Sequence, residues 1–330
     1  MTMTVSRRLL AGLALLAASL SAPAFAQSTP AKQLFSAVKA PSAQPTESIG
    51  FYAKGCLAGA DALPVDGPTW QAMRLSRNRH FGTPALVDFI ERLSRKAAAE
   101  DGWPGLLVGD MSQPRGGPLP YGHASHQVGL DADIWFRPMP NPRLSVAQRE
   151  TFEFRSMLKK GTFEVDDRIW TASHLGLLKL AAEDPNVQRI FVNPGIKKKL
   201  CQTAGRDRAW LNKVRPYYGH DEHFHVRLFC QPGSPDCETQ QSTGSGDGCD
   251  QLDWWFNVAL QLPKPGTKPP KPKPPMTLAD MPRACRAVLA ASAKGSGRTG
   301  AEPAAESEPA VAASAGPVPP VPVPMGRPAR

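Results

Sequence analysis

No stretch of this 330-residue chain is apolar for the ~20 residues that a bilayer-spanning helix needs. That argues against a membrane anchor. No C-x-x-C pair occurs, which argues against a thiolate metal site or a dithiol redox site. No internal repeat divides the chain. Histidine is scarce, 7 residues in all, so any grouping of histidines carries information.

The apolar run that does exist is at the start. Arg7 and Arg8 precede "LLAGLALLAASL", about a dozen residues, and then "APAFAQ". This order predicts a secretory signal peptide over 1–26, cleaved after Ala26. An exported chain with a formal charge of +10 suits an anionic neighbourhood: wall polymer, lipid headgroups or nucleic acid. The sign alone does not choose among them. Six cysteines, Cys56, Cys201, Cys230, Cys237, Cys249 and Cys285, form an even set, and export predicts three disulfides with the pairing left open. Cys230 and Cys237 are the easiest pair to close locally.

Composition divides the rest. Residues 27–262 are long enough for one compact domain with a real core. Residues 263–290 begin with the proline-lysine run "PKPGTKPPKPKPP", an extended strap that Cys285 would tie back if it pairs with the main domain. Residues 291–330 are rich in Ala, Pro, Gly and Ser, and are expected to be disordered.

Within the domain the pattern predicts α+β. In "TPALVDFIERLSRKAAAED" Thr83 caps a helix, Pro84 opens it, and Leu86, Phe89, Ile90, Leu93 and Ala97 recur at helical spacing. "HLGLLKLAAED" predicts a second helix, stopped by Pro185. "GLLVGDM", "LDADIWF", "QRIFVN" (stopped by Pro194) and "HFHVRLF" read as strands. Strands and helices intersperse without a regular βαβ rhythm, so a small antiparallel sheet flanked by helices and long loops is expected.

Five of the seven histidines fall in two segments, "YGHASHQVGLDADIW" and "YYGHDEHFHVRLFC". Strand alternation puts His223, His225 and Arg227 on one face of the second, with Phe224, Val226 and Leu228 on the other. In the first, Asp131 and Asp133 oppose Leu130, Ala132, Ile134 and Phe136. If the strands are neighbours, His225 and Asp133 converge and His126 reaches in from the loop. Two imidazoles, one carboxylate and a water make a catalytic zinc sphere. His223, beside His225 on the same face, is then the non-ligand histidine that moves a proton, and His220 is a second candidate. Asp131 is read as a structural carboxylate that orients a histidine. His80 and His174 are read as ordinary surface or helix-end residues.

The segments "GDMSQPRGGPLPYGHASHQVGLDADIWF", "RIFVNPGIKKKLC" and "KVRPYYGHDEHFHVRLFC" resemble the penicillin-insensitive murein endopeptidases, zinc peptidases that share H-x6-D and H-x-H with lysostaphin and D-alanyl-D-alanine peptidases. The resemblance runs from about "GCLAGADALP" to "SGDGCD". It implies a periplasmic Zn2+ hydrolase cutting D-alanyl–meso-diaminopimelate cross-links of peptidoglycan, with no nucleic-acid partner. It also implies His126, Asp133 and His225 as zinc ligands, His223 as the catalytic histidine with His220 lining the site, and disulfides Cys56–Cys285, Cys201–Cys249 and Cys230–Cys237. In the family a second metal at a homodimer interface uses a match to His123, an aspartate and a further histidine. Here "FEVDDRIWTASH" offers Asp166, and an apolar residue stands at the histidine position. This chain therefore supplies that second site incompletely.

Two rival readings follow from other features. A serine penicillin-binding-type peptidase needs S-x-x-K, S-x-N and K-T-G. "SAVK" at Ser36–Lys39 and "SRN" at Ser76–Asn78 are short matches, and the only K-T-G-like triplet, "RTG", falls in the tail. A non-catalytic wall-binding zinc module would have no use for His223 beside three ligands.

Overall fold

The computed structural model describes residues 29–262, 266 and 271–295. The expected signal peptide, part of the proline-lysine strap and the tail beyond 295 lie outside the described residues. Among the described residues no helix is long and apolar enough to cross a membrane.

The strands, in chain order, are β1 (Glu47–Phe51), β2 (Lys54–Ala58), β3 (Asp61–Ala62), β4 (Asp66–Gly67), β5 (Trp70–Ala72), β6 (Phe81–Gly82), β7 (Leu106–Val108), β8 (Asp131–Trp135), β9 (Val187–Val192), β10 (Val214–Pro216) and β11 (His223–Leu228). β1 and β2 form a hairpin and β3 pairs with β6. The others form a seven-stranded sheet in the order β10-β9-β11-β8-β7-β5-β4. The fold is α+β as expected, but this sheet is larger than expected and mixed. β11 is antiparallel to both β8 and β9, while β5–β7 and β9–β10 are parallel. A helix lies between the members of each parallel pair, Pro84–Glu100 in one and Pro194–Thr203 in the other. Such crossovers are what parallel pairing requires.

Helix Pro84–Glu100 starts as its sequence predicts. Thr83 Oγ1 accepts from the Leu86 amide, with Pro84 at the first position. Leu86, Phe89, Ile90, Leu93 and Ala97 are buried, as are Leu177, Leu178 and Ala181 of helix Ala172–Glu183. They share one core with Ala132 and Ile134 of β8 and Phe224, Val226 and Leu228 of β11. Each fully buried Leu or Phe contributes roughly 1.5–3 kcal/mol. This core pins the apolar faces of β8 and β11, and strand alternation then turns their polar residues to the opposite face. After β9, Pro194 does more than stop a strand. Asn193 Oδ1 accepts from the Gly195 amide, and the helix Pro194–Thr203 begins there.

The disulfides are Cys56–Cys285, Cys201–Cys249 and Cys230–Cys237. The first holds helix Ala284–Ala290 against β2, where Phe35, Ile49, Met281 and Val288 make a second small core. The buried Arg115 guanidinium closes this helix. Its Nη1 donates to the carbonyls of Val288, Leu289 and Ala291, each at 2.8 Å, and its Nε to that of Ala40. The chain stays on the body a little past 291. The Ala43 amide donates to the Ser292 carbonyl, and Lys294 Nζ lies 2.7 Å from Asp61.

Candidate metal centre

β8 and β11 are direct neighbours, and the register sets His225 opposite Asp133, His223 opposite Trp135 and Arg227 opposite Asp131. The Asp133 carboxylate is the hub. Its Oδ1 lies 3.2 Å from His225 Nδ1, 3.4 Å from His126 Nε2 and 3.7 Å from His223 Nε2. Its Oδ2 lies 3.1 Å from His123 Nε2. His126 Nε2, Asp133 Oδ1 and both ring nitrogens of His223 are buried without a hydrogen-bond partner. Each such orphan costs about 1–3 kcal/mol when nothing satisfies it. His126 Nε2, Asp133 Oδ1 and one nitrogen of His223 converge, and unsatisfied donor atoms gathered in this way suit a cation.

Asp131 holds two members of the cluster in place. A carboxylate only accepts, so the proton of His225 sits on Nε2, which donates to Asp131 Oδ1 at 3.0 Å. In the neutral ring that leaves the Nδ1 lone pair turned to Asp133. Asp131 Oδ2 accepts from the His126 backbone amide at 3.0 Å. His126 has φ of 66°, left-handed and unusual for histidine, and this hydrogen bond helps to hold the strained backbone. Arg227 completes the set, its Nε 2.7 Å from Asp131 Oδ1. Asp131 thus has the orienting place that its sequence position suggests.

The electrostatics follow from burial and pairing. Burial would raise the Asp133 carboxyl, yet the facing His123, His126 and His223 hold it well below the usual range. Burial also opposes ionisation of Asp131, and Arg227 and His225 outweigh it. Burial pushes His126, His220 and His223 down and keeps them neutral. His225 is raised against burial because it lies between Asp131 and Asp133.

His220 stands at the edge of the cluster, its ring centre 5.0 Å from that of His223. Its Nδ1 donates to the Tyr218 carbonyl at 2.7 Å, which leaves Nε2 as the free lone pair. The expected pairing of His123 with Asp166 is not what the structure brings together. His123 sits on the main cluster, between Asp133 and Asp110. Asp166 is bound instead by Arg168, with Nη2 at 2.6 Å, because the turn after Asp166 folds that guanidinium back onto it. His174 lies in the first turn of its helix but is buried, bonded to Thr171 and to the Phe136 carbonyl. His80 stacks on Phe81. Neither joins the cluster. A hollow of about 320 Å³ lined by Trp103, Phe136, Met157 and His174 shares no residue with it either. Of the serine-type motifs, Ser36 Oγ donates to the Gln33 carbonyl within its own helix, and Ser76 binds Glu150.

Three cleft residues, Asp110, Arg77 and Trp135, and the buried Arg79 behind them escape a reading of the sequence. Asp110 receives Arg79 at 2.7 Å and Arg77 at 3.1 Å, and Trp135 lines the cleft beside His223. The one local signal is that Asp110 stands two residues past the apolar run of β7, after Gly109.

Both metal-ligand triads in this geometry contain His126 and Asp133. Nitrogen and oxygen ligands at about 2.0–2.1 Å from a tetrahedral zinc stand about 3.3 Å from one another. His126 and His225 meet that spacing around one oxygen, Asp133 Oδ1. Among the described residues, the group whose ligand atoms all lie within 4.8 Å of one another is His123, His126 and Asp133, in which His123 addresses the other oxygen and is more exposed than His225. The donor set fits a zinc-type ion.

Comparison with known proteins bears on the same segments. A relative named penicillin-insensitive murein endopeptidase from Haemophilus influenzae is 50% identical over 228 residues, 68% of this chain and 77% of its own. Proteins of that name from Klebsiella pneumoniae and Salmonella heidelberg are 45% and 46% identical over 244 residues, 74% of this chain and 86% of theirs. The sequence profile described as penicillin-insensitive murein endopeptidase matches residues 48–290, a span that takes in both histidine segments and all six cysteines. The chain belongs to the penicillin-insensitive murein endopeptidase family.

Proposed function

We propose that this protein is an exported, periplasmic zinc endopeptidase that hydrolyses the D-alanyl–meso-diaminopimelate cross-links of peptidoglycan. The observation that carries this reading is the approach of His126 Nε2 and His225 Nδ1 to one oxygen of Asp133, in a chain whose relatives are named murein endopeptidases. His126, Asp133 and His225 hold the ion. A zinc ion held there would polarise the scissile carbonyl and lower the pKa of a bound water to ~7.

The other residues have separate tasks. Asp131 fixes the His225 tautomer and so the direction of its Nδ1 lone pair. His223 is neutral and half-buried, with both ring nitrogens shielded and without a hydrogen-bond partner. It takes a proton from the attacking water. The water oxygen bonds to the carbonyl carbon, the C–N bond breaks, and the proton passes to the leaving amine. His220 lines the site with its Nε2 free. The reading assigns one metal. His123, between Asp110 and Asp133, is left to position those carboxylates, and no dimer is needed to complete the centre.

Purified protein incubated with a cross-linked dimeric muropeptide tests the reading. Monomers should form at neutral pH, fail to form after chelation, and form again when zinc is restored. A fully zinc-loaded protein that binds murein without cleaving it would establish the wall-binding module instead.

A further inference from the structure

We propose that Arg77 binds a free carboxylate of the murein stem peptide, and so makes the enzyme prefer cross-links that carry a negative charge beside the scissile bond. This deepens the proposed function and rests on it.

Arg77 lines the cleft together with His123, Asp133, His223, Trp135 and Phe154. It ends the short turn Leu75–Arg77, which is bracketed by Arg74 with φ of 55° and Asn78 with φ of 53°. Two left-handed non-glycine residues around three others make a costly bend, of the kind that gathers at functional sites. The bend places one guanidinium in the cleft with spare donors. Arg77 Nη1 donates to Asp110 Oδ2 at 3.1 Å, and among the described residues the guanidinium has no other hydrogen bond. Nε and Nη2 are left over, on a side chain that is 28% exposed.

Its neighbours are committed elsewhere. Arg74 donates to the carbonyls of Arg149, Glu150 and Phe152 and lies against the rings of Trp135 and Phe154. Arg79 is buried under the Tyr121 ring and donates to the same Asp110 oxygen, with its Nη2 unpartnered. One carboxylate, Asp110, therefore faces two guanidiniums, and positive charge is in excess at this end of the cleft. An anion balances it.

The substrate has such an anion in the right place. In the D-alanyl–diaminopimelate cross-link, the carbon bearing the scissile nitrogen also bears a free carboxylate. Arg77 is one carboxylate and one imidazole away from the hub. Asp110 Oδ2 is 3.6 Å from His123 Nε2, which is 3.1 Å from Asp133 Oδ2. A planar guanidinium pinned on one side by Asp110 presents its remaining N–H groups to a carboxylate.

The test uses two defined cross-linked muropeptides that differ only in this group, free carboxylate in one and carboxamide in the other. Wild-type protein should show kcat/KM about 10–100-fold higher on the carboxylate, mainly through KM, as expected for loss of a charged hydrogen bond. Arg77→Gln should bring the ratio of the two substrates close to one, and Arg77→Lys should restore part of it. Equal cleavage of both substrates by wild type would overturn the inference and leave the endopeptidase reading standing. So would an Arg77→Gln protein that keeps the full ratio. Cleavage of neither substrate by zinc-loaded wild type would overturn both. Should Arg77→Gln fail to fold, the wild-type ratio still decides.

Discussion

Asp133 and His225 stand opposite each other on adjacent antiparallel strands, with Nδ1 of the imidazole 3.2 Å from Oδ1 of the carboxylate. The core beneath β8 and β11 fixes that distance, because Ile134 and Val226 are buried on the other side of the same strands. The centre is therefore part of a rigid sheet, and substitutions in it should separate into distinct classes.

On the proposed mechanism, removal of a ligand should differ from removal of the proton carrier. Asp133→Ala and His225→Ala should lose both the metal and muropeptide cleavage. His223→Ala should keep the metal and lose about 10²–10⁴-fold in rate. Metal content by mass spectrometry alongside activity separates the two. A zinc-free His223→Ala protein would show that His223 is a ligand.

Asp131→Ala should weaken zinc binding by about 10–100-fold, since His225 loses the acceptor that fixes its tautomer. It should also destabilise the fold by about 3–5 kcal/mol, because Arg227 is left as a buried charge without its partner. Zinc titration and urea melts measure the two effects. Unchanged affinity would remove Asp131 from any orienting role.

Cleavage should be indifferent to penicillin, since the proposed mechanism uses no serine nucleophile, and abolished by EDTA. The same muropeptide assay, run with each inhibitor, checks both. Inhibition by penicillin with indifference to EDTA would revive the serine reading.

Truncation after Gly295 should leave folding and activity intact. Truncation before Cys285 removes the Arg115-capped helix, frees Cys56 for mispairing during export, and should lower the melting temperature markedly. A low melt for the longer truncation would show that residues beyond 295 pack on the body.

Stability should fall with acid even away from the metal. Burial holds His174 at about 4, against 6.5 for the free side chain. The unfolded chain therefore binds the proton first, and His174 withdraws stability as the pH drops from about 6.5 to about 4. Urea melts at pH 7.5 and 4.5 should show a smaller gap for His174→Asn than for wild type. An equal gap would place the acid sensitivity elsewhere.

What could be read from the chain was whatever local rules fix. Helix Pro84–Glu100 follows from Thr83, Pro84 and a 3.6-residue apolar period. The two-faced character of β8 and β11 follows from alternation, which already puts Asp133 and His225 on polar faces. The long motifs around His126 and His225 were enough to reveal the family and, with it, the disulfide pairs. Asn193-Pro194 held the signal of a helix start but reads equally well as a strand stop, so the second crossover, and the parallel pair it permits, were missed.

Tertiary structure decided the rest. No local rule joins Asp110, at the end of β7, to Arg77 and Arg79 in a turn some thirty residues earlier. Nor does spacing show that His123 belongs to Asp133 while Asp166 is folded onto Arg168. Charge pairs of this kind depend on which strands become neighbours and how loops return to them. Strand order is set by burial summed over the whole core, so it is not written in any one segment of the sequence.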